Sequence, residues 1–121
     1  MEELSMKMQS QLQSFKQVQT ELQKAISTRQ QLDGQLNEND IVKQELDLMP
    51  EDGKVYKSVG PVLIKTDLLE AKQNVVKRMD YISNEIKRLD SQIETLEKKQ
   101  VEHKTVIQKL QQQLAMAGGM K

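Results

Sequence analysis

The 121-residue sequence has no cysteine, no tryptophan, a single histidine, two tyrosines and one phenylalanine. Without cysteine there is no disulfide framework, no thiol nucleophile and no Cys-ligated zinc. One histidine cannot build a His-rich metal centre. Three aromatic rings cannot anchor a conventional globular core. Charge of one sign is also missing: 18 Lys and Arg balance 18 Asp and Glu. No overall field therefore draws the chain toward nucleic acid or anionic lipid. No apolar run approaches the ~18 residues of a membrane span. Acids at Glu2 and Glu3 and the lack of an apolar signal core give no expectation of secretion. The expected setting is a reducing one, the cytoplasm.

What is present is a helix composition. There are 17 glutamines, 30% of residues are charged and 36% are hydrophobic, as in long helices. Pro50, Gly53, Gly60 and Pro61 cluster near the middle, and Gly118 and Gly119 lie near the end. Only Gly34 interrupts either flank, at a cost of about 1 kcal/mol relative to alanine. The spacing predicts one domain in four parts: a helix over 1–48, a hairpin segment over 49–66, a second helix over 67–117 and a flexible tail over 118–121.

Both flanks carry a heptad. Leu4, Met8, Gln11, Phe15, Val18, Leu22, Ala25, Arg29, Leu32, Leu36, Asn39, Lys43 and Leu46 alternate spacings of three and four, and nine of the 13 are apolar. Leu68, Lys72, Val75, Met79, Ile82, Ile86, Leu89, Ile93, Leu96, Gln100, His103, Ile107, Leu110 and Leu114 repeat the pattern, with eleven of 14 apolar. A seam sustained over about six heptads is a coiled-coil signal. Asp67 followed by Glu70 places a capping oxygen and an N3 carboxylate before the second repeat. Residues 1–48 hold 5 basic and 8 acidic residues and 67–121 hold 10 and 8, an offset that mildly favours antiparallel contact. The expected fold is all-α dominated: a long antiparallel two-helix coiled coil joined by a central β-hairpin. Two registers fit. One pairs Leu4 with Leu114 and Phe15 with His103; the other pairs Gln11 with Gln100 and Phe15 with Leu96.

The centre changes period. Two short β-branched runs, Lys54–Val59 and Val62–Thr66, flank Gly60-Pro61, a hairpin signature. Gly60 can take the positive φ that a II′-like turn needs at its first position. Val55, Val59, Val62 and Ile64 fall on one face, Tyr56 and Leu63 on the other. A lone two-stranded hairpin is marginal in water, and this one has two open edges. We therefore expect Val55, Tyr56, Val59, Gly60, Pro61, Val62, Leu63 and Ile64 to form an assembly module completed by strands of other chains.

Catalytic chemistry is missing. Neither Gly60-Pro61 nor Gly118-Gly119 has the spacing of a phosphate loop. Acid pairs such as Glu94/Glu97 belong to a solvated helix face. His103, a seam position beside Gln100, reads as a polar layer that sets register. Arg29 and Lys72 send their heads to solvent. The basic pairs Lys77/Arg78, Lys87/Arg88 and Lys98/Lys99 alternate with acids, unlike a nucleic-acid stripe. No enzyme, cofactor or metal site is expected.

Apolar residues outside the seam are not spread evenly. They cluster near the hairpin (Ile41, Val42, Leu48, Met49, Leu69, Val76, Tyr81) and near the two termini (Met6, Leu12, Val106, Met116). With their seam neighbours Leu4, Met8, Phe15, Leu110 and Leu114, and with Met120, the terminal group reads as an adaptable apolar tip rich in methionine, a side chain suited to varied partners.

Three stretches carry a resemblance to a known family: Asn39-Asp40-Ile41-Val42-Lys43-Gln44-Glu45-Leu46, Val55 through Lys65 with its Gly-Pro-Val-Leu turn, and Lys77-Arg78-Met79-Asp80-Tyr81-Ile82 followed by Glu85-Ile86-Lys87-Arg88. The sequence resembles β-class prefoldin subunits, of the eukaryotic rather than the archaeal kind, over nearly its whole length. The resemblance implies an ATP-independent co-chaperone. Two α-class and four β-class subunits would join hairpins into a β-barrel body as a hetero-hexamer. The coil tips would hold non-native clients such as actin and tubulin chains and pass them to the cytosolic group II chaperonin. No nucleic acid and no membrane is implied as a partner. Leu4, Met6, Met8, Leu12, Phe15, Val106, Leu110, Leu114 and Met116 would form the client-contact zone, and residues 54–66 the barrel strands. The rival readings are a structural coiled-coil tether and a membrane-trafficking adaptor. The Gly60-Pro61 break at the midpoint argues against a continuous parallel rod.

Overall fold

The computed structural model describes residues 2–119. Helix α1 spans Glu2–Leu48, strands β1 and β2 span Val55–Val59 and Val62–Thr66, and helix α2 spans Leu68–Gly119. The chain divides into two compact units. The hairpin unit is Arg29–Arg88; the helix-end unit takes α1 as far as Thr28 and α2 from Leu89 onward.

Local chemistry sets the element ends. Glu2 and Glu3 place negative charge in the first turn of α1, where it complements the helix dipole. The helix stops before Pro50, which disfavours helical geometry in the residue ahead of it. Met49 N–H closes the last turn on the Leu46 carbonyl at 3.2 Å. Gly53 N–H then donates to the Pro50 carbonyl at 2.8 Å, making a tight turn. A Cβ at Gly53 would lie 2.9 Å from that same carbonyl oxygen and 2.7 Å from Met49 Cε, so the turn needs glycine. At the start of α2 the Asp67 carbonyl accepts from Ala71 N–H at 2.9 Å, which puts Asp67 at the N-cap.

The heptad is realised at every position. All 13 seam residues of α1 and all 14 of α2 are buried or half-buried. In the helix-end unit the buried set is Val18, Ala25, Leu89, Leu96, Ile107 and Leu110; in the hairpin unit it is Leu46, Ala71, Ile82 and Ile86. Ala71 alone lies off the seam. Its small side chain faces Val55 and Tyr56 across a groove of about 410 Å³, also lined by Leu46, Val75 and Arg78. Gly118 and Gly119, expected to begin a loose tail at 118–121, instead continue α2; residues 120 and 121 lie outside the described residues.

The hairpin register pairs Val55 with Thr66, Tyr56 with Lys65, Lys57 with Ile64, Ser58 with Leu63 and Val59 with Val62. This leaves Gly60 and Pro61 as the two turn residues. Gly60 has φ +59°, and Pro61 is confined to negative φ, the combination of a II′-like turn. Gly60→Val should weaken the hairpin by about 1–2 kcal/mol, because a β-branched side chain is strained at that φ. Gly34 is helical with open space around it, so Gly34→Ala should stabilise by about 0.5–1 kcal/mol. Thermal melts of the two assembled variants should move in opposite directions.

Candidate functional site

Two surfaces qualify, one in each unit. The first is the hairpin. Its pleat puts Val55, Val59, Val62 and Ile64 on one face and Tyr56 and Leu63 on the other. Tyr56, Val59, Val62, Leu63 and Ile64 are each half or more exposed, Leu63 at 68%. The two strands pair only with each other. Each therefore keeps a free edge, and apart from half-buried Val55 the apolar side chains of both faces are exposed. On the helices of the same unit Ile41, Val42, Leu48, Leu69, Val76 and Tyr81 are exposed as well, Leu48 at 86%. Exposed apolar side chains in this number mark an interaction surface.

The second surface is at the helix ends, and here the nine candidates separate. Leu4, Met8, Phe15 and Leu114 are half-buried in the seam, and Leu110 is 8% exposed. These five hold the two helices together. Met6, at 71%, and Leu12, Val106 and Met116 face outward. Met120 lies outside the described residues. One exposed residue was not anticipated: Val101, at 64%, sits in a shallow groove among Glu94, Glu97, Lys98 and Glu102.

Between these residues lies a polar layer. His103 Nδ1 is 2.8 Å from Gln11 Oε1, part-buried, a bond between residues 92 apart in sequence that joins α1 to α2. An amide oxygen only accepts, so Nδ1 carries the proton. The observed partner of His103 is thus Gln11. Either expected register, Phe15 with His103 or Gln11 with Gln100, brings Gln11 within one helical turn of His103, and the bond fits both.

Charge contributes little elsewhere. The Arg88 guanidinium bonds Glu85 at 2.9 Å, and this hydrogen bond holds the Glu85 carboxyl below the usual carboxylate range. Both groups are exposed helix neighbours, so the pair is a modest helix support. It is present above the ordinary glutamate range and lost as pH falls through the depressed value. Among the described residues no cluster of His, Asp and Glu could hold a metal, and no helix is long and apolar enough to cross a membrane.

Comparison with known proteins bears on what such surfaces serve. A family model described as prefoldin subunit matches residues 9–114. The chain is 43% identical over 114 residues to a probable prefoldin subunit 6 of Drosophila melanogaster, covering 94% of this chain and 91% of that one. It is 43% identical over 115 residues to prefoldin subunit 6 of Homo sapiens, covering 95% and 89%. The crystal structure of the prefoldin beta subunit from Thermococcus strain KS-1 superposes with a TM-score of 0.76 at 25% identity, covering 85% of this chain and 90% of that one.

Proposed function

This chain belongs to the prefoldin subunit family, and on that premise we propose that it works as a β-class subunit of a hetero-hexameric, ATP-independent co-chaperone. It joins α- and β-class partners through its hairpin, which supplies strands to a shared β-barrel body. Its helix ends hold non-native clients, actin- and tubulin-like chains among them. The complex passes these to the group II chaperonin in the cytoplasm.

The observation that carries the assembly role is the hairpin itself, with both faces apolar, both faces exposed and both edges unpaired. Ten strand residues in this condition are marginal in water. Strands from neighbouring subunits satisfy the open backbone groups and cover the side chains together.

The holding role follows from valency. A client exposes apolar surface that would otherwise self-associate. Each helix-end surface offers a few exposed aliphatic and thioether side chains, so one contact is weak. Tethering several such surfaces to one body raises the effective concentration for every contact after the first. Weak individual contacts also let a client leave without nucleotide hydrolysis. Membership of the prefoldin subunit family supports a non-enzymatic chaperone component.

Native mass spectrometry of the complex purified through this chain tests the reading. The expected result is a single hexamer of related coiled-coil subunits with one copy of this 13.9 kDa chain. A homodimer, or a complex with vesicle or filament proteins, would transfer the function to tethering.

A further inference from the structure

We infer that Met6 and Met116 are oxidation sites: hydrogen peroxide converts these two thioethers to sulfoxides ahead of the other described methionines, and the sulfoxides weaken the hold of the helix-end surface on its clients. The chain has seven methionines and no cysteine. Thioethers are therefore its only sulfur targets for a peroxide.

Burial sorts the five methionines that lie among the described residues. Met8 and Met79 are half-buried seam positions. Met49 is half-buried as well, with its terminal methyl lying over the turn at Gly53. Met6 and Met116 are 71% and 69% exposed. Each stands two residues past a seam leucine, Leu4 or Leu114, and so points away from the seam. On α1 the residues one turn from Met6 are Glu2, Glu3, Gln9 and Ser10; on α2 the turn before Met116 brings Gln112 and Gln113. All six are exposed and polar. Both open thioethers thus belong to the helix-end unit, whereas Met49 and Met79 of the hairpin unit are shielded.

The chemistry follows from that access. A sulfur lone pair attacks one peroxide oxygen and the O–O bond breaks. The proton left on the new sulfur–oxygen bond passes to the departing hydroxide, giving water. Sulfur gives up two electrons and the peroxide takes them. The step needs an open approach and water around the departing hydroxide, and Met6 and Met116 have both. The product is a polar, chiral side chain that no longer offers a client apolar area. Neither residue closes the seam, so the helices keep their contacts. Oxidation would then change the surface and spare the fold. The effect on clients rests on the function proposed above; the order of oxidation does not.

The test treats the complex of this chain and its partner subunits with hydrogen peroxide, removes the peroxide with catalase and follows each methionine by peptide mass mapping. Met6 and Met116 should oxidise roughly fivefold faster than Met8, Met49 and Met79. Oxidation of any of those three at the same rate overturns the assignment. Once Met6 and Met116 are converted, helicity and complex size should be unchanged. Capture of an unfolded protein added afterwards should fall about threefold or more against the untreated complex. A complex carrying Met6→Leu and Met116→Leu, compared with its own untreated sample, should show no such fall. An equal fall in the two complexes overturns the effect on clients, and so does an undiminished parent. Reductases for the two sulfoxide epimers, supplied with a dithiol, should restore parental capture. If the untreated complex captures no unfolded protein, the chaperone reading fails and the effect on clients with it, while the peptide map still decides the order of oxidation.

Discussion

Val59→Asp combined with Ile64→Asp should reduce the assembled complex to free chains of about 14 kDa on a sizing column, with helical content unchanged. The two side chains lie on the same face of the hairpin, Val59 across from Val62 and Ile64 across from Lys57. Each is half exposed in the single chain, so a carboxylate there meets water and costs the subunit little. The same carboxylate beneath a neighbouring strand loses that water, with Lys57 across from position 64 as the hairpin's own cation on that face. Covering an aliphatic side chain that is half exposed contributes about 1 kcal/mol, and the double variant forfeits two of these. An unpaired charge buried in their place costs several kcal/mol more. The sum exceeds what a weak, multi-strand interface can absorb. Helicity should survive because the seam that holds α1 to α2 contains neither residue. A complex of unchanged size would remove the hairpin from the assembly interface, whatever the family resemblance.

The parts of this molecule that were legible from sequence are those set by a short repeat. Period 3.5 placed all 27 seam residues, and period 2 around Gly60-Pro61 placed both strands to within a residue. Each rests on local backbone geometry, which a window of seven to ten residues carries in full. Register was not legible for the converse reason: a repeat is unchanged by sliding along itself. Pairing Gln11 with Gln100 fits the repeat as well as pairing His103 with Phe15, and the Gln11–His103 bond that forms is within one turn's reach of either. Exposure at the helix ends was only half legible. Grouping Leu110 with Met6 as one apolar tip merged a side chain that closes the seam with one that faces solvent. Val101 escaped notice because Lys98, Lys99 and Glu102 make its neighbourhood read as wholly polar. Ala71 was passed over because the seam was assigned to Lys72. It shares a groove with Val55 and Tyr56 of the hairpin, a proximity that no helical period encodes.

That distinction reshapes the experiment on client holding. Replacing Met6, Leu12, Val101, Val106 and Met116 with serine should leave complex size and helicity intact and weaken capture of unfolded protein tenfold or more. These five side chains face solvent, so their loss opens no seam. If covering each by a client contributes about 1 kcal/mol, a third of that total already corresponds to about tenfold in affinity. Avidity across the other subunits then limits how much of the loss is visible at high complex concentration, so suppression of client aggregation is best measured at substoichiometric complex. Replacing Leu4, Met8, Leu110 and Leu114 with serine answers a different question. Leu110 is buried and the other three are half-buried between the helices. Truncating such residues costs about 2 kcal/mol or more apiece where they are well packed, so the helix ends should separate, with a measurable drop in ellipticity. Loss of capture in that variant would show only that the coil must be intact. The informative comparison is the solvent-facing set: full suppression of aggregation by a complex lacking all five would rule out this surface of the chain as a client contact.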